Sequence, residues 1–583
     1  MAGAVLGAIL CLLLIETVLR PWFGFAIPGS LQIVRQLTLW IALLGAALSA
    51  RDGRLLALAT GTFLRDGRTR AVLEALAVAA AVAVSAILCR GAVTLLLGEF
   101  VYGTSAAGVP VWLWQAVLPL GFFLIGLRLA LRLPSRAARR VAAAGAGIGF
   151  ALAAWPSLIA GQPAWPWVAA LAAAGLIGMP LFAVLSGLAT VLFMIDGTPP
   201  VAVLSSAYEL ATHPTLPALP VFTLAGFLLA EGDTAARLLR IFRAWLGWMP
   251  AGTAVVCVVV CASFTGLTGG SGVTILALGG VLLPALLQDG YGDGFSIGLL
   301  TGSSSLGLLL PPALPLILYS IVAEIPLADL FLGGLLPGVL MVGLVAGYAM
   351  YAAPRRTGPR IPFNAREAVA ALWHGRWEVL LPIVVLGAFF GGYATILETS
   401  ALAALYALVV QVLIHRNIRI GQPLRRVFAE SAATIGGVLI ILVVAYGLTA
   451  YLIDADIPGT VASWARQYVH SPLVFLLLLN VFLLAVGCVM DMFSAILVIA
   501  PLVLPLGAAF GIHPIHLGII FVANLELGYI TPPVGLNLFL ASHRFDRPLL
   551  SVCRDSLPLL AILLAAVLLI TYLPWLTTAL PGL

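Results

Sequence analysis

Two groups of oxygen-bearing side chains interrupt a chain that is otherwise strongly apolar. One runs Thr268-Gly269-Gly270-Ser271 and continues with Thr301, Ser303, Ser304 and Ser305, just before Gly307. The other consists of Asp491 and Ser494, then Asn524, Glu526 and Thr531 around Gly528. Hydroxyls, amides and carboxylates with no histidine or cysteine among them are hard ligands, suited to a small cation such as Na⁺ rather than to a transition metal. An ionisable residue at membrane depth, here Asp491, is costly and functional by default. A lone Ser or Thr in an apolar helix more often serves close helix packing. Glu209 and Glu398 read as helix-end carboxylates. What turns the two groups toward function is that each sits beside the same backbone signal.

That signal is Gly307-Leu308-Leu309-Leu310-Pro311-Pro312 in one copy and Gly528-Tyr529-Ile530-Thr531-Pro532-Pro533 in the other, 221 positions later. The same offset pairs Pro284 with Pro505 and Gly290 with Gly511. Proline removes an amide donor and clashes with the preceding turn, so each copy must break its helix. Unpaired backbone at bilayer depth is tolerated only where protein or a wet cavity covers it. Interrupted spans at matching places in two halves point to a transporter's binding site. Helices that restart near Ser271, Ser494 and beyond each Pro-Pro would aim positive dipole ends at one cavity. An organic anion is the substrate that such a cavity favours.

The elements that position these groups follow from composition. Of 583 residues, 62% are hydrophobic and 9% charged, against about 25% charged in soluble domains. At roughly 20 residues per span the chain supplies about 15 spans, and the expected fold is an all-α polytopic membrane protein. The 29 basic residues include no lysine. Their arginines cluster in short loops, which marks cytoplasmic loops rather than a nucleic-acid surface.

Applied along the chain, that rule places four spans in residues 1–133 with both ends cytoplasmic, since arginines follow the second span (Arg51 to Arg70) and the fourth (Arg128 to Arg140). Residues 5–18 read as an uncleaved first span. Residues 134–140 read as a basic linker and 141–160 as a connecting helix. Segments 261–277 and 487–497 are too polar at their centres for plain crossings, and their apolar flanks suit re-entrant hairpins. Arg237, Arg240 and Arg243 precede the first hairpin, whereas Asp454 and Asp456 precede the second, so the halves are predicted to be inverted. Arg355, Arg356, Arg360 and Arg366 make the link between halves cytoplasmic. The domain boundaries are therefore 1–133, a four-helix module; 134–161, a linker with a connecting helix; 162–353, a first repeat with a hairpin at about 251–288; 354–378, a cytoplasmic linker; and 379–583, a second repeat with a hairpin at about 472–509.

Other chemistries fit poorly. The six cysteines form no CxxC pair and have no histidines at ligand spacing. No Gly-x-x-x-x-Gly-Lys-Ser/Thr loop is present, so ATP is not the driver. Gly269-Gly270-Ser271-Gly272 fits the Gly-x-Ser-Gly pattern of rhomboid-like intramembrane serine proteases. That reaction needs a histidine base at membrane depth, and all seven histidines fall in or beside predicted loops. The chain is not expected to be an enzyme.

The stretch Leu525-Glu526-Leu527-Gly528-Tyr529-Ile530-Thr531-Pro532-Pro533-Val534-Gly535-Leu536-Asn537-Leu538-Phe539 resembles the signature of the large membrane subunit of tripartite ATP-independent periplasmic (TRAP) transporters. Leu219-Pro220-Val221-Phe222-Thr223-Leu224-Ala225-Gly226 and residues 307–312 fit the same family, and the resemblance covers roughly 165–575. The first four spans resemble the small membrane subunit through residues 103–110 and Leu118-Pro119-Leu120-Gly121, so the whole is similar to a fusion of both subunits. The sequence departs from the family pattern at Ala313, at the glycine-rich first tip, and at Thr395-Ile396-Leu397-Glu398.

The resemblance implies an inverted-repeat, elevator-type, Na⁺-coupled importer of a C4-dicarboxylate, a sialic acid or a similar carboxylate. It would take substrate from a soluble periplasmic binding protein, in the bacterial inner membrane, with a cytoplasmic N-terminus and a monomeric state. Na⁺ is the implied coupling ion, with no covalent cofactor. By motif, a first Na⁺ site draws on Thr268, Gly269, Ser271, Ser305 and Gly307, and a second on Asp491, Ser494, Asn524, Gly528 and Thr531. Substrate contacts would come from Ser271, Thr274, Ser304, Pro311, Pro312, Ser494, Pro532, Pro533 and Asn537. The nearest rival reading is a Na⁺/anion symporter that needs no binding protein. The four-span module argues against it.

Overall fold

The computed structural model describes residues 1–19, 27–57, 67–352, 363–532 and 535–581. Arg65, Arg355, Arg356 and Arg360 of the topology argument, and Pro533 of the site, lie outside them. The described residues are helical almost throughout. Their only paired strands are the two-residue segments Ser105–Ala106 and Val109–Pro110. Among the described residues ten helices are long and apolar enough to cross a membrane, and there are further apolar helices of 10–17 residues. The fold is that of a polytopic all-α membrane protein.

The chain divides into two compact units, Met1–Val221 with Arg425–Pro458, and Phe222–Leu424 with Gly459–Leu583. In the first unit, Ala2–Leu14, Ser30–Asp52, Arg68–Tyr102 and Val117–Arg132 are the four N-terminal helices. Small residues let their backbones approach. A Cβ at Gly45 would stand 2.2 Å from the Ala432 carbonyl oxygen, and Ser49 donates to the Ala433 carbonyl at 2.6 Å.

The connecting helix starts earlier than expected. It runs Arg136–Ala154, with Ser135 as N-cap accepting from the Ala138 amide, so Arg136, Arg139 and Arg140 are its first two turns and not a linker. The cap side chain satisfies an amide that the helix cannot. Gly145 and Gly149 of this helix pack on the Ala79 and Ala83 carbonyls of Arg68–Tyr102. The two halves also differ in the element ahead of the hairpins. In the second half it is one 33-residue helix, Gln422–Asp454. In the first half it is two, Val201–Ala211 and Ala218–Glu231, divided where Pro214 and Pro217 stand.

The second unit carries the internal repeat. Its first hairpin is Gly252–Thr268 and Ser271–Gln288, and its second is Pro472–Val489 and Met492–Ala509. Each hairpin leads into a broken helix: Asp293–Ser303 then Leu314–Ala323, and Pro514–Gly528 then Leu536–Arg544. The closing spans are Leu327–Ala352 and Leu549–Tyr572. Corresponding bounds differ by 220 to 222 positions, except that Pro514–Gly528 continues further than its counterpart and ends 225 positions after Ser303.

The packing is reciprocal. Ser271–Gln288 lies against Leu536–Arg544, and Met492–Ala509 against Leu314–Ala323. Asp293–Ser303 lies against Leu549–Tyr572, and Pro514–Gly528 against Leu327–Ala352. Each repeat therefore packs its hairpin and its broken helix on the other's partner elements, as two-fold-related repeats do.

Candidate substrate and cation site

Both breaks fall where the Gly-x-x-x-Pro-Pro signal stands. Residues 304–313 separate the two halves of the first broken helix, and Tyr529 to Gly535 those of the second. Gly307 is fixed there by space: a Cβ on it would sit 2.2 Å from the Ala262 carbonyl oxygen and 2.4 Å from the Gly266 nitrogen. A Cβ on Gly528 would sit 2.5 Å from the Gly487 carbonyl carbon. Gly266 and Gly487 are themselves equivalent across the repeat, so each break is seated on a glycine of its own hairpin's first arm.

The first hairpin turns at Gly269, whose φ of 68° is the left-handed conformation that glycine adopts without cost. Thr268 ends the first arm, its hydroxyl donating to the Phe264 carbonyl at 2.9 Å. Gly226 lies under it, where a Cβ would stand 2.9 Å from the Thr268 Cα.

Beyond the turn, a chain of buried polar groups crosses between repeats. Ser271 Oγ donates to Asn537 Oδ1 at 2.8 Å, and Asn537 Nδ2 donates to Ser304 Oγ at 3.1 Å. Ser304 Oγ donates in turn to the Thr301 carbonyl at 2.7 Å. Thr265 Oγ1 reaches the Ser304 carbonyl at 2.7 Å and the Thr274 hydroxyl at 2.6 Å. The hairpin tip, the first break and the start of the opposite half-helix are thus tied by neutral donors and acceptors. An apolar layer of Ile275, Ile297, Leu538, Ala541 and Val552 packs beside them. Of the residues expected on substrate, Ser271, Thr274, Ser304 and Asn537 meet here, and Pro311 and Pro312 are buried nearby in the chain.

The second tip is built differently. Asp491 caps Met492–Ala509, accepting from the Ser494 amide at 3.1 Å and the Ser494 hydroxyl at 2.5 Å. The Met492 amide donates to the Tyr529 hydroxyl at 2.9 Å, which ties this tip to the second break. Thr531 donates back to the Leu527 carbonyl at 2.9 Å, and Pro532 is exposed. Asn524 turns to another partner: its Nδ2 donates to Asn480 Oδ1 at 2.6 Å, which also accepts from Thr571 at 3.2 Å. Of the expected second cation set, Asp491 and Ser494 are bonded to each other.

Three participants escape the sequence reading. Thr265 lies three residues before Thr268 and so shares its helix face. Tyr529 stands inside the Gly-x-x-x-Pro-Pro stretch itself. Asn480 carries no local signal, since it is a single polar residue in an apolar arm. His516, assigned to a loop edge by sequence, is buried in Pro514–Gly528 with Thr577 at 2.8 Å and the Thr571 carbonyl at 3.1 Å. Glu398 reads as expected, closing a capping box with Thr395. No cluster of three or more His, Cys, Asp or Glu side chains able to hold a metal occurs among the described residues.

Comparison with known proteins adds a separate line. Residues 166–576 match the family described as tripartite ATP-independent periplasmic transporter, DctM component, and residues 9–139 match the DctQ component. The chain is 35% identical over 401 residues to the C4-dicarboxylate TRAP transporter large permease protein DctM of Pseudomonas aeruginosa, covering 68% of this chain and 93% of that one. It is 32% identical over 434 residues to the protein of the same name from Vibrio cholerae, covering 70% and 95%. It is 30% identical over 477 residues to the isethionate TRAP transporter permease protein DctMQ of Oleidesulfovibrio alaskensis, covering 80% and 75%.

Proposed function

We propose, for a chain that belongs to the tripartite ATP-independent periplasmic transporter family and carries both of its membrane components, that it imports an organic anion together with Na⁺. A periplasmic binding protein delivers the substrate to this permease in the inner membrane. The N-terminus is cytoplasmic, and the fused permease works as a monomer. The observation that carries the reading is the Ser271–Asn537–Ser304 chain, which joins a hairpin tip of one repeat to the half-helix of the other.

The substrate class follows from the groups that converge. Their donors are neutral hydroxyls and an amide, backed by the N-terminal ends of Ser271–Gln288 and Leu536–Arg544, whose partial positive charge favours an anion. Relatives in the family carry names that include C4-dicarboxylate and isethionate, both small organic acids. We place substrate against Ser271, Thr274, Ser304 and Asn537, with Pro311, Pro312, Ser494, Pro532 and Pro533 around it.

Na⁺ serves as the coupling ion. Burying a carboxylate alone costs several kcal/mol, which a bound cation offsets. The first cation is assigned to Thr268, Gly269, Ser271, Ser305 and Gly307, and the second to Asp491, Ser494, Asn524, Gly528 and Thr531. The hairpins and broken helices then move as one body in an elevator step. Each net positive charge moved inward gains about 2.3 kcal/mol per 100 mV.

Uptake of labelled organic acids into proteoliposomes, with and without a cognate binding protein, tests this reading. Uptake that requires the binding protein supports it. Equal uptake without one favours a simple anion symporter.

A further inference from the structure

The site described so far leaves one buried carboxyl group unused. Glu526 lies two residues before the second break, on Pro514–Gly528, and is completely shielded from solvent. Neither of its carboxylate oxygens has a hydrogen-bond partner among the described residues. Its neighbour is the Ser305 hydroxyl, and 305 and 526 are equivalent positions of the two repeats, 221 apart. The two side chains thus meet where the repeats face each other, each just ahead of its own Gly-x-x-x-Pro-Pro break.

An ionised carboxylate buried without a partner costs several kcal/mol, so Glu526 either holds a proton or faces a counter-charge. No described residue on the helices packed against Pro514–Gly528 supplies a counter-charge at the level of Glu526. Among the helices packed against Pro514–Gly528, the single basic residue is Arg554 of Leu549–Tyr572. That helix lies beside Gly298 at Asp555, which sets Arg554 about 10 Å along the axis from the level of Ser305. The groups at hand are all oxygens. Ser305 donates a long 3.4 Å hydrogen bond to the Gly302 carbonyl, and its hydroxyl oxygen has a lone pair to offer a cation. A carboxylate and hydroxyl oxygens gathered without a basic side chain suit a small, hard, positively charged ligand.

We propose that Glu526 is the charged ligand of a monovalent-cation site shared with Ser305, a contact made from one repeat to the other. The assignment rests on the Na⁺-coupled reading above and deepens it. The first cation set otherwise consists of neutral groups, and Glu526 gives it the negative charge that Asp491 gives the second. Each of the two cations then has one carboxylate, and the core carries little net charge before the substrate anion enters. Because Ser305 and Glu526 belong to opposite repeats, a bound cation also ties the two breaks together.

The test uses the full chain, purified and reconstituted, in four forms: wild type, Glu526→Gln, Glu526→Asp and Ser305→Ala. Thermal unfolding is followed against NaCl concentration, with choline chloride holding ionic strength, and no substrate is added. Wild type should gain stability with Na⁺. The Na⁺ concentration for half of that gain should rise at least about tenfold in Glu526→Gln, with Glu526→Asp and Ser305→Ala in between. A wild-type Na⁺ curve in Glu526→Gln overturns the proposal, because the carboxyl is then a proton carrier or a packing group. Should Glu526→Gln fail to fold, unchanged Na⁺ curves in both Glu526→Asp and Ser305→Ala overturn it equally. A wild-type protein that ignores Na⁺ removes the Na⁺-coupled reading together with this site, and that outcome is visible before any variant is made.

Discussion

Gly528 lies against Gly487 so closely that a Cβ on Gly528 would stand 2.5 Å from the Gly487 carbonyl carbon. The repeat reproduces the pair as Gly307 and Gly266, with a Cβ on Gly307 at 2.4 Å from the Gly266 nitrogen. In both repeats the first hairpin arm is the seat on which the helix break rests. The contact is one-sided in the first repeat. A Cβ on Gly266 would meet the Gly307 carbonyl oxygen at an ordinary 3.6 Å.

That asymmetry predicts a graded alanine series. Gly307→Ala and Gly528→Ala should each destabilise the protein by about 1–3 kcal/mol and abolish uptake, because backbone must move to admit the methyl group. Gly266→Ala should fold with a near-normal unfolding midpoint. Thermal unfolding in detergent, read beside uptake, checks the order.

Asn537 is the hinge of the cross-repeat chain, accepting from Ser271 and donating to Ser304. Asn537→Asp keeps the acceptor, loses the donor and adds a negative charge where an anion is proposed to bind. Its uptake should fall far more than its stability does. Asn537→Ala leaves the buried Ser271 hydroxyl without its acceptor, while Ser304 keeps the Thr301 carbonyl, and should cost about 1–3 kcal/mol. Comparing unfolding midpoints with uptake rates separates the two effects.

Asp491 has two tasks that substitution can divide. As N-cap it holds the Ser494 amide, and as a carboxylate it carries charge. Asn caps as well as Asp does. Asp491→Asn should therefore unfold at nearly the wild-type temperature in choline chloride, while the Na⁺ concentration for half-maximal uptake rises. Asp491→Ala should lose about 1 kcal/mol of stability in addition. Equal Na⁺ dependence in wild type and Asp491→Asn would remove Asp491 from the cation site.

A buried ion pair sits apart from the site. Arg237 donates to Glu378 at 2.9 Å, and His415 lies 3.3 Å from the same oxygen. Glu378→Gln should destabilise by about 2–4 kcal/mol, since it strands a mostly buried arginine. Burial, followed by the Arg237 charge, holds the His415 imidazole below the ordinary histidine value of 6.5, with Glu378 pulling the other way. The unfolded chain then takes up the proton first, so stability falls as pH drops through that value. His415→Gln should lose less between pH 7.5 and 5.5 than wild type does, as measured by unfolding midpoints across that range.

The parts legible in sequence are those with local backbone causes. Hairpin and break positions follow from Gly269, from the Asp491 cap and from the two Gly-x-x-x-Pro-Pro stretches, whose effect on a helix needs no tertiary context. The connecting helix was obscured because three arginines resemble a loop, although Ser135 before them is an ordinary N-cap. Pro214 and Pro217 fall between Val201–Ala211 and Ala218–Glu231, whereas their counterparts Ile435 and Val438 lie inside the continuous helix Gln422–Asp454, so the repeat offset does not carry every break from one half to the other. The Ser271–Asn537 bond joins residues 266 apart in sequence, and no periodicity announces such a partner. Asn537 was reachable only through the family motif. Thr265 and Asn480 look like packing residues until their neighbours are known.

In the proposed mechanism Na⁺ bound between the two repeats drives an organic anion inward. Proteoliposomes holding the full chain, supplied with loaded binding protein, can be given an inward Na⁺ gradient, an equal Na⁺ concentration on both sides, or choline in place of Na⁺. The account predicts accumulation above the external concentration with the gradient, equilibration without it, and almost no uptake in choline. Accumulation that is the same in all three conditions would contradict it.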